Sequence, residues 1–419
     1  MKVFKFGGAS VKDANAVRNM AAIIAQNSDQ PLVVIISAMG KMTNAFEALL
    51  AKRITEEDAT FELNHIKEFH SNIVSELGLS TNEELNKVLE GAYEELDNAL
   101  DKISSSMGYD HVYDQTVSIG EIISTQIVSH FLNKEGISNT WLDARKVVKT
   151  DSTHRAASVD WGASQAMIRS HTSQMLEEGI VISQGFIGSN ADYHTTTLGR
   201  EGSDFTGAIF ATSLDADSLT IWKDVSGVLN ADPKKFEKHE LYGRLPYKEA
   251  AEMSYYGATV IHPKTIKPLA QKGIPLFVRS FENPKNEGTL IEECLVPNLA
   301  PAIIHKSDQT VISFKISDFS FINEHHIHLI FDHIKRQNLS INLMQNSAIS
   351  FTICMDDNPK KREQLMTALK DEFFIYYNEG LDMITVKNYN EETINELMAG
   401  KQIIIEQRSR NNFQMVYRS

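Results

Sequence analysis

The chain of 419 residues carries 41 Lys and Arg against 55 Asp and Glu, a net charge of −14 that speaks against nucleic acid or an anionic membrane as a main partner. Its ordinary apolar and charged content suits a globular protein long enough for two or three domains. No apolar run approaches the roughly 20 residues that span a bilayer, and no signal-peptide pattern precedes the first strand, so the cytoplasm is the expected compartment. Cys294 and Cys354 are too few for a disulfide framework and are expected to be buried thiols. The first predicted strand, 3–6, carries Lys5 and runs into Gly7 and Gly8. Val11, Ala14, Val17, Met20, Ala21 and Ile24 then recur at helical spacing. The glycines thus read as a strand-to-helix turn, where outward N–H groups hold an anion and Lys5 adds a cation. A tight turn with a surface lysine fits these residues alone equally well.

Further strands are predicted at 32–36, 140–142, 180–183, 219–222 and 275–278, alternating with helical patterns in the manner of a doubly wound α/β sheet. From 45 to 115 the spacing is only helical, with Ile66, Phe69, Ile73 and Leu77 followed by Leu85, Val88, Ala92, Leu96, Leu100 and Ile103. This reads as a helical excursion packed on the sheet. Turn motifs fall at strand ends, where open α/β sheets bind ligands. They are SAMGKMTN (37–44), QGFIGS (184–189), TTTLGREGSD (195–204) before a helix expected near Phe205, and WKDVSGVLNADPK (222–234). Three of them have the Gly, Ser and Thr content of phosphate-binding turns, and no GxxxxGK[ST] loop occurs.

The stretch 283–298, NPKNEGTLIEECLVPN, reads as a domain boundary. Beyond it come strand 311–316, helix 324–337, strands 340–344 and 348–355, helix 360–373 and strand 383–386, a ferredoxin-like βαββαβ order. Helix 391–398 and strands 402–407 and 413–417 begin a second copy, which at Ser419 is one helix and one strand short. The histidines of NEHHIHLIFDH (323–333) lack a companion cysteine or HExxH spacing, so helix-surface histidines outweigh a metal site.

In this order and at these intervals, KFGGAS (5–10), SAMGKMTN, SIGEIIST (118–125), TTTLGREGSD, WKDVSGVLNADPK and YGATVIHP (256–263) resemble aspartate kinase. The C-terminal part resembles the paired ACT modules that regulate that family. The resemblance spans the whole chain. It implies an amino-acid-kinase α/β/α sandwich with a mainly parallel sheet over 1–290, a first ACT module over 300–387 and a partial second over 388–419. It also implies transfer of the ATP γ-phosphoryl group to the side-chain carboxylate of L-aspartate, giving 4-phospho-L-aspartate on the route to lysine, threonine and methionine. Mg2+ would be held mainly by the phosphates, with few or no direct ligands from the protein, and the homodimer would form through the ACT region. No homoserine dehydrogenase region is included, so a monofunctional kinase is expected.

A carboxylate acceptor is already ionised at neutral pH and needs no general base. Catalysis then reduces to holding two anions together and neutralising the transferring phosphoryl group. Carried over residue by residue, the resemblance makes Lys5 the principal phosphate cation, with Gly7, Gly8 and Ser10 beside the nucleotide. Arg200 would clamp the α-carboxylate, Glu121 the α-ammonium, and Ser37 and Thr43 would line the same cleft. Asp204 would orient Lys5, and Lys223, Asp224 and Lys234 would touch the nucleotide, Asp232 being explained as well by turn chemistry with Pro233.

The departures are Ala9 for threonine, Glu201 for glycine, Lys223 for threonine and Thr259 for lysine, the last two suggesting that Lys223 replaces the nucleotide lysine. Two other readings are an amino-acid-sensing ACT protein with a degenerate kinase half, and a kinase for another amino acid. The set Lys5, Glu121, Arg200 and Asp204 opposes the first; SIGEIIST and the ACT pair oppose the second. No glycine occurs from Thr289 to Glu379, where effector-binding modules commonly use one, and Asn342 stands where lysine-sensitive relatives have aspartate. Lysine inhibition is therefore expected to be weak or absent, leaving a dimerisation platform and a retuned effector site both open.

Overall fold

The computed structural model describes residues 1–103, 108–258, 260–316 and 320–418; Thr259 lies outside them. The chain forms two compact units, one of Met1–Val228, Leu241–Ser254 and Thr259–Val296, the other of Leu229–Glu240, Tyr255–Ala258 and Pro297–Ser419. No helix among the described residues is long and apolar enough to cross a membrane.

The first unit contains β1 (Lys2–Phe6), β2 (Leu32–Ile36), β3 (Asn139–Leu142), β4 (Ile180–Gln184), β5 (Ile187–Ser189), β6 (Thr195–Thr197), β7 (Ser218–Lys223), β8 (Arg244–Pro246), β9 (Leu276–Ser280) and β10 (Thr289–Glu292). Eight of them form one sheet in the order β3-β4-β2-β1-β7-β9-β10-β8, and β5 pairs with β6 separately. Every pairing in the large sheet is parallel except β9 with β10. Unbroken apolar runs such as LVVII in β2, buried at every position, are what a parallel sheet covered on both faces requires.

Two helix boundaries differ from expectation in ways that matter for the site. The α-helix after Gly7 and Gly8 begins only at Ala14, capped by the Asp13 side chain, and a short 3-10 turn, Gly8–Val11, intervenes. The glycines therefore do not stand at an α-helix N-terminus. The helix expected near Phe205 begins at Gly202, which puts Asp204 in its first turn. A carboxylate is favoured there by the helix dipole.

The helical excursion consists of Met42–Ile54, Thr60–Glu76, Glu83–Asp101 and Tyr109–Lys134, so it runs well past 115. The last of these is buried on nearly all sides, polar residues included, and so lacks the apolar stripe that reveals a surface helix.

The second unit holds β11 (Ala302–Ile316), β12 (Ile341–Asn346), β13 (Ser350–Asp356), β14 (Phe373–Lys387), β15 (Gln402–Arg408) and β16 (Asn412–Arg418), ordered β12-β13-β11-β14-β16-β15. All its pairings are antiparallel. β11 and β14 are both 15 residues long, and the strands expected at 311–316 and 383–386 are only parts of them. Residues 309–316 and 373–378 complete the first βαββαβ module with β12, β13 and helices Glu324–Arg336 and Pro359–Leu369.

The strand thought absent from the second module is the start of β11: Ala302 to Lys306 pair with Lys387 to Met383, beside β16. Phe236 and Ile303 pack against the core of this module, formed by Ile384, Val386, Ile394, Leu397, Phe413, Met415 and Tyr417. Phe236 belongs to Leu229–Glu240, a stretch that the sequence reading includes in the kinase-like half, 1–290, and that clusters with the second unit.

Asn342 is fully engaged within the sheet. Its amide donates to Gln309 Oε1 at 2.7 Å and Asp356 Oδ1 at 2.8 Å, and its oxygen accepts from Lys306 Nζ at 2.7 Å. His326 shares a capping box with Asn323 at the start of the histidine-rich helix. Cys354 is buried as expected, whereas Cys294, just past the end of β10, is only half-buried.

Candidate active site

The site begins at the carboxyl ends of adjacent central strands. Lys5 lies on β1 opposite Ile221 of β7, and Lys223 ends β7. Helix Gly202–Ser213 packs over both strands and lowers Asp204 between the two lysines. Lys5 Nζ lies 2.7 Å from Asp204 Oδ1, and Lys223 Nζ lies 3.2 Å from Oδ2. Lys223 also donates to the Val260 carbonyl. Lys5 is 7% exposed and Asp204 2%. Burial works against the Asp204 charge, but the two ammonium groups outweigh it and hold the carboxyl below its ordinary range.

A Cβ on Gly7 would stand 3.4 Å from Lys5 Nζ, so the missing side chain leaves the ammonium uncovered. Gly8 has a different cause. A Cβ there would meet Gly40 O at 2.6 Å and Ala38 O at 2.8 Å, while Gly40 N donates to Gly8 O at 3.0 Å. Backbone packing against the SAMG turn accounts for this glycine. Ser10 is buried, and its hydroxyl has no hydrogen-bond partner among the described residues.

Close packing also delivers Glu121. At Gly120 a Cβ would touch the Phe46 ring at 3.1 Å and Ala38 Cβ at 3.3 Å, so the helix lies tightly on the SAMG turn. Ser124 Oγ donates to Ser37 O at 2.7 Å and fixes that contact. Glu121 is 2% exposed, and its Oε2 has no hydrogen-bond partner among the described residues. Burial pushes its carboxyl up to about 8, against the opposing pull of the Ala38 backbone and Lys5.

An ammonium ligand that needs the Glu121 carboxylate must therefore displace a proton at pH 7. If the ligand is the amino acid that the sequence resemblance implies, its KM should fall by about an order of magnitude or more as pH rises from about 6.5 to about 8.5, because the ionised fraction grows towards this raised pKa. In Glu121→Gln the KM should be higher and its slope over this window lost. Initial rates at saturating nucleotide measure it, and an equal slope in both proteins would contradict the assignment.

Lys5, Ser37, Thr43, Glu121, Arg200, Asp204 and Lys223 all line one cleft of about 490 Å³ in the first unit, a size suited to a small ligand. Arg200 is exposed and makes no hydrogen bond or ion pair among the described residues. Glu201, which follows it, has φ 54°, the left-handed conformation that makes glycine common at such a turn. Gly7, Gly8, Ser10 and Asp224 are not part of this lining. Lys234 belongs to the second unit, and Asp232 caps its own turn by accepting from Lys234 N at 2.9 Å.

Tyr113, Arg155 and Phe186 line the cleft without having been singled out by sequence. For Phe186 a signal existed, since it sits within QGFIGS and packs on Gly202, where a Cβ would come within 2.7 Å of its ring. For Tyr113 and Arg155 there was none: one lies in a helix without a stripe, the other in the polar loop STHRAA.

The amino acid kinase family model matches residues 1–280. Lysine-sensitive aspartokinase 3 of Escherichia coli is 32% identical over 361 residues, which cover 84% of this chain and 78% of that protein. Chloroplastic aspartokinase 1 of Arabidopsis thaliana is 28% identical over 400 residues, covering 92% and 68%. The chain spans 47% of a bifunctional aspartokinase/homoserine dehydrogenase of Buchnera aphidicola, at 29% identity over 91% of this chain. The crystal structure of E. coli aspartokinase III in complex with aspartate and ADP matches with a TM-score of 0.83 and 26% identity, over 100% of this chain and 96% of that one.

Proposed function

Because the chain belongs to the amino acid kinase family and, within it, to the aspartokinases, we propose that its cleft transfers the γ-phosphoryl group of ATP to the side-chain carboxylate of L-aspartate. The observation that carries this reading is the buried Lys5–Asp204–Lys223 triad opening into the same cleft as Glu121 and Arg200. The two lysines bring a net positive charge to the place where phosphate oxygens gain charge, and Asp204 fixes their direction. Glu121 takes the α-ammonium, Arg200 takes the α-carboxylate in a bidentate fork, and Ser37 and Thr43 supply neutral donors. Held this way, the side-chain carboxylate attacks phosphorus directly, and the ADP oxygen leaves with the bond's electron pair. No proton moves at the reacting atoms.

Asp204 is committed to two lysines, and the described residues offer no group of three His, Cys, Asp or Glu suited to a metal. This donor set suits Mg2+ that arrives on the nucleotide, where it neutralises phosphate oxygens. Gly7 and Ser10 border the nucleotide side, with Lys223 supplying the cation that relatives place elsewhere. The second unit is read as the regulatory ACT region and the seat of a homodimer. Exposed Phe374 and Tyr376, on the part of β14 that pairs only with β11, support that pairing. We place the reaction in the cytoplasm, at the entry to lysine, threonine and methionine synthesis.

A coupled assay of ADP release with L-aspartate, with L-glutamate and without acceptor tests the reading. ADP should form only with L-aspartate. Equal release with glutamate, or release without any acceptor, would overturn it.

A further inference from the structure

We propose that Arg155 is a second guanidinium for the acceptor's α-carboxylate, acting together with Arg200. This rests on the aspartate reading above. Arg155 lines the same cleft and has φ 65°, a left-handed conformation rarely adopted by a residue with a side chain. A dedicated support holds it there. The fully buried Asp114 carboxylate accepts from Arg155 N at 3.1 Å through both oxygens, from His154 Nδ1 at 2.9 Å, from Thr197 N at 3.0 Å and from Thr197 Oγ1 at 2.7 Å. A strained backbone so heavily over-determined points to a side chain that must be aimed.

The aim is also specific. The Arg155 guanidinium stacks on the Tyr113 ring, 4.3 Å from its centroid, and Tyr113 itself lines the cleft. Its ion-pair partner is Asp110, to which it donates at 3.4 Å, with side-chain exposures of 46% and 62%, and so weak an exposed pair leaves the charge available to a ligand. Arg155 and Arg200 come from adjoining segments: Ala157 N donates to Thr197 O at 2.9 Å, and a Cβ on Gly199 would stand 3.0 Å from Arg155 O.

Charge bookkeeping within the cleft selects the carboxylate. Lys5 and Lys223 already serve Asp204 and the phosphates, and Glu121 serves the ammonium. The reacting carboxylate must stay nucleophilic and face the phosphoryl group, and a guanidinium fork on it would draw its electrons away. The α-carboxylate has no such conflict, and two arginines can each satisfy one of its edges.

Arg155→Gly, whose backbone adopts this conformation freely, and Arg155→Lys, which keeps the charge without the fork, test the proposal. The aspartate KM should rise about tenfold or more in the glycine variant and less in the lysine variant, with the ATP KM within about twofold of the parent. L-Aspartate α-amide, used as a competing ligand, lacks the charge at issue, so its inhibition constant should differ by no more than about twofold between parent and Arg155→Gly. An unchanged aspartate KM in Arg155→Gly, or an equal loss of the α-amide, overturns the proposal. Absence of aspartate-dependent ADP release in the parent protein would instead remove the reading beneath it.

Discussion

Replacing Lys5 by alanine is expected to lower turnover by about 10²–10³ while leaving a folded protein, the typical loss when one preorganised transition-state charge is removed. The geometry explains both halves of this result. Lys5 Nζ is the nearer of two ammonium groups on Asp204, and Lys5 lines the cleft. After the substitution Asp204 still has Lys223 at 3.2 Å, so no buried charge is left alone. Steady-state kinetics with thermal unfolding on the same sample separates activity from stability. Near-parental kcat in a folded Lys5→Ala protein would remove Lys5 from the chemistry.

The converse substitution should be worse for the fold. Asp204→Ala leaves the Lys5 and Lys223 ammonium groups close together, with side-chain exposures of 9% and 19% and their shared counter-ion gone. Removing one side of a buried ion pair typically costs about 3–5 kcal/mol, which in a unit of this size lowers Tm by roughly 10 °C. Adding Lys5→Met to Asp204→Ala should restore part of that loss without restoring activity, because one uncompensated charge is then removed. A single Asp204→Ala variant that melts with the parent would show that the lysines find other partners. The pH signature is on the acid side. The Asp204 carboxyl is held below its ordinary range, so its stabilisation is present above the unfolded carboxylate pKa and fades as pH falls through the lower folded value.

Much of the candidate site could be read from sequence because the residues that share the cleft sit in compact motifs at strand ends. Lys5 with its glycines, Glu121 in SIGEIIST, and Arg200 with Asp204 in LGREGSD each advertise themselves locally. Arg155 does not. Its proposed role depends on a positive φ and on Asp114, 41 positions earlier in the helix Tyr109–Lys134, and neither leaves a trace in STHRAA. The reason for Gly8 was also invisible, since the carbonyls that exclude a side chain come from the turn after β2.

The second unit departs from the sequence expectation at two places for one physical reason. KSDQ inside β11 and NEG inside β14 look like turns, so each strand was read as its second part only. In the structure both sequences are absorbed where the two strands shift register against each other, with Asp308 at φ 54° and Gly380 at φ 65°. An irregularity that bends a ladder uses the same residues as a turn that ends it.

Those two long strands make the second unit a nested object. The chain lays down residues 302–306 for the outer module, builds the whole inner module, and only then returns through β14, β15 and β16 to enclose what it began. The inner module is contiguous, but both its ends run straight on into strands of the outer module, which is not, so severing β11 or β14 removes a strand from both. Even the outer module's hydrophobic filling is borrowed from far upstream, through Phe236. A gene fragment beginning at Pro297 would lack that plug, and one ending at Val296 would carry it with nothing to fill. The two halves of this chain can be distinguished in space, but they cannot be divided with scissors.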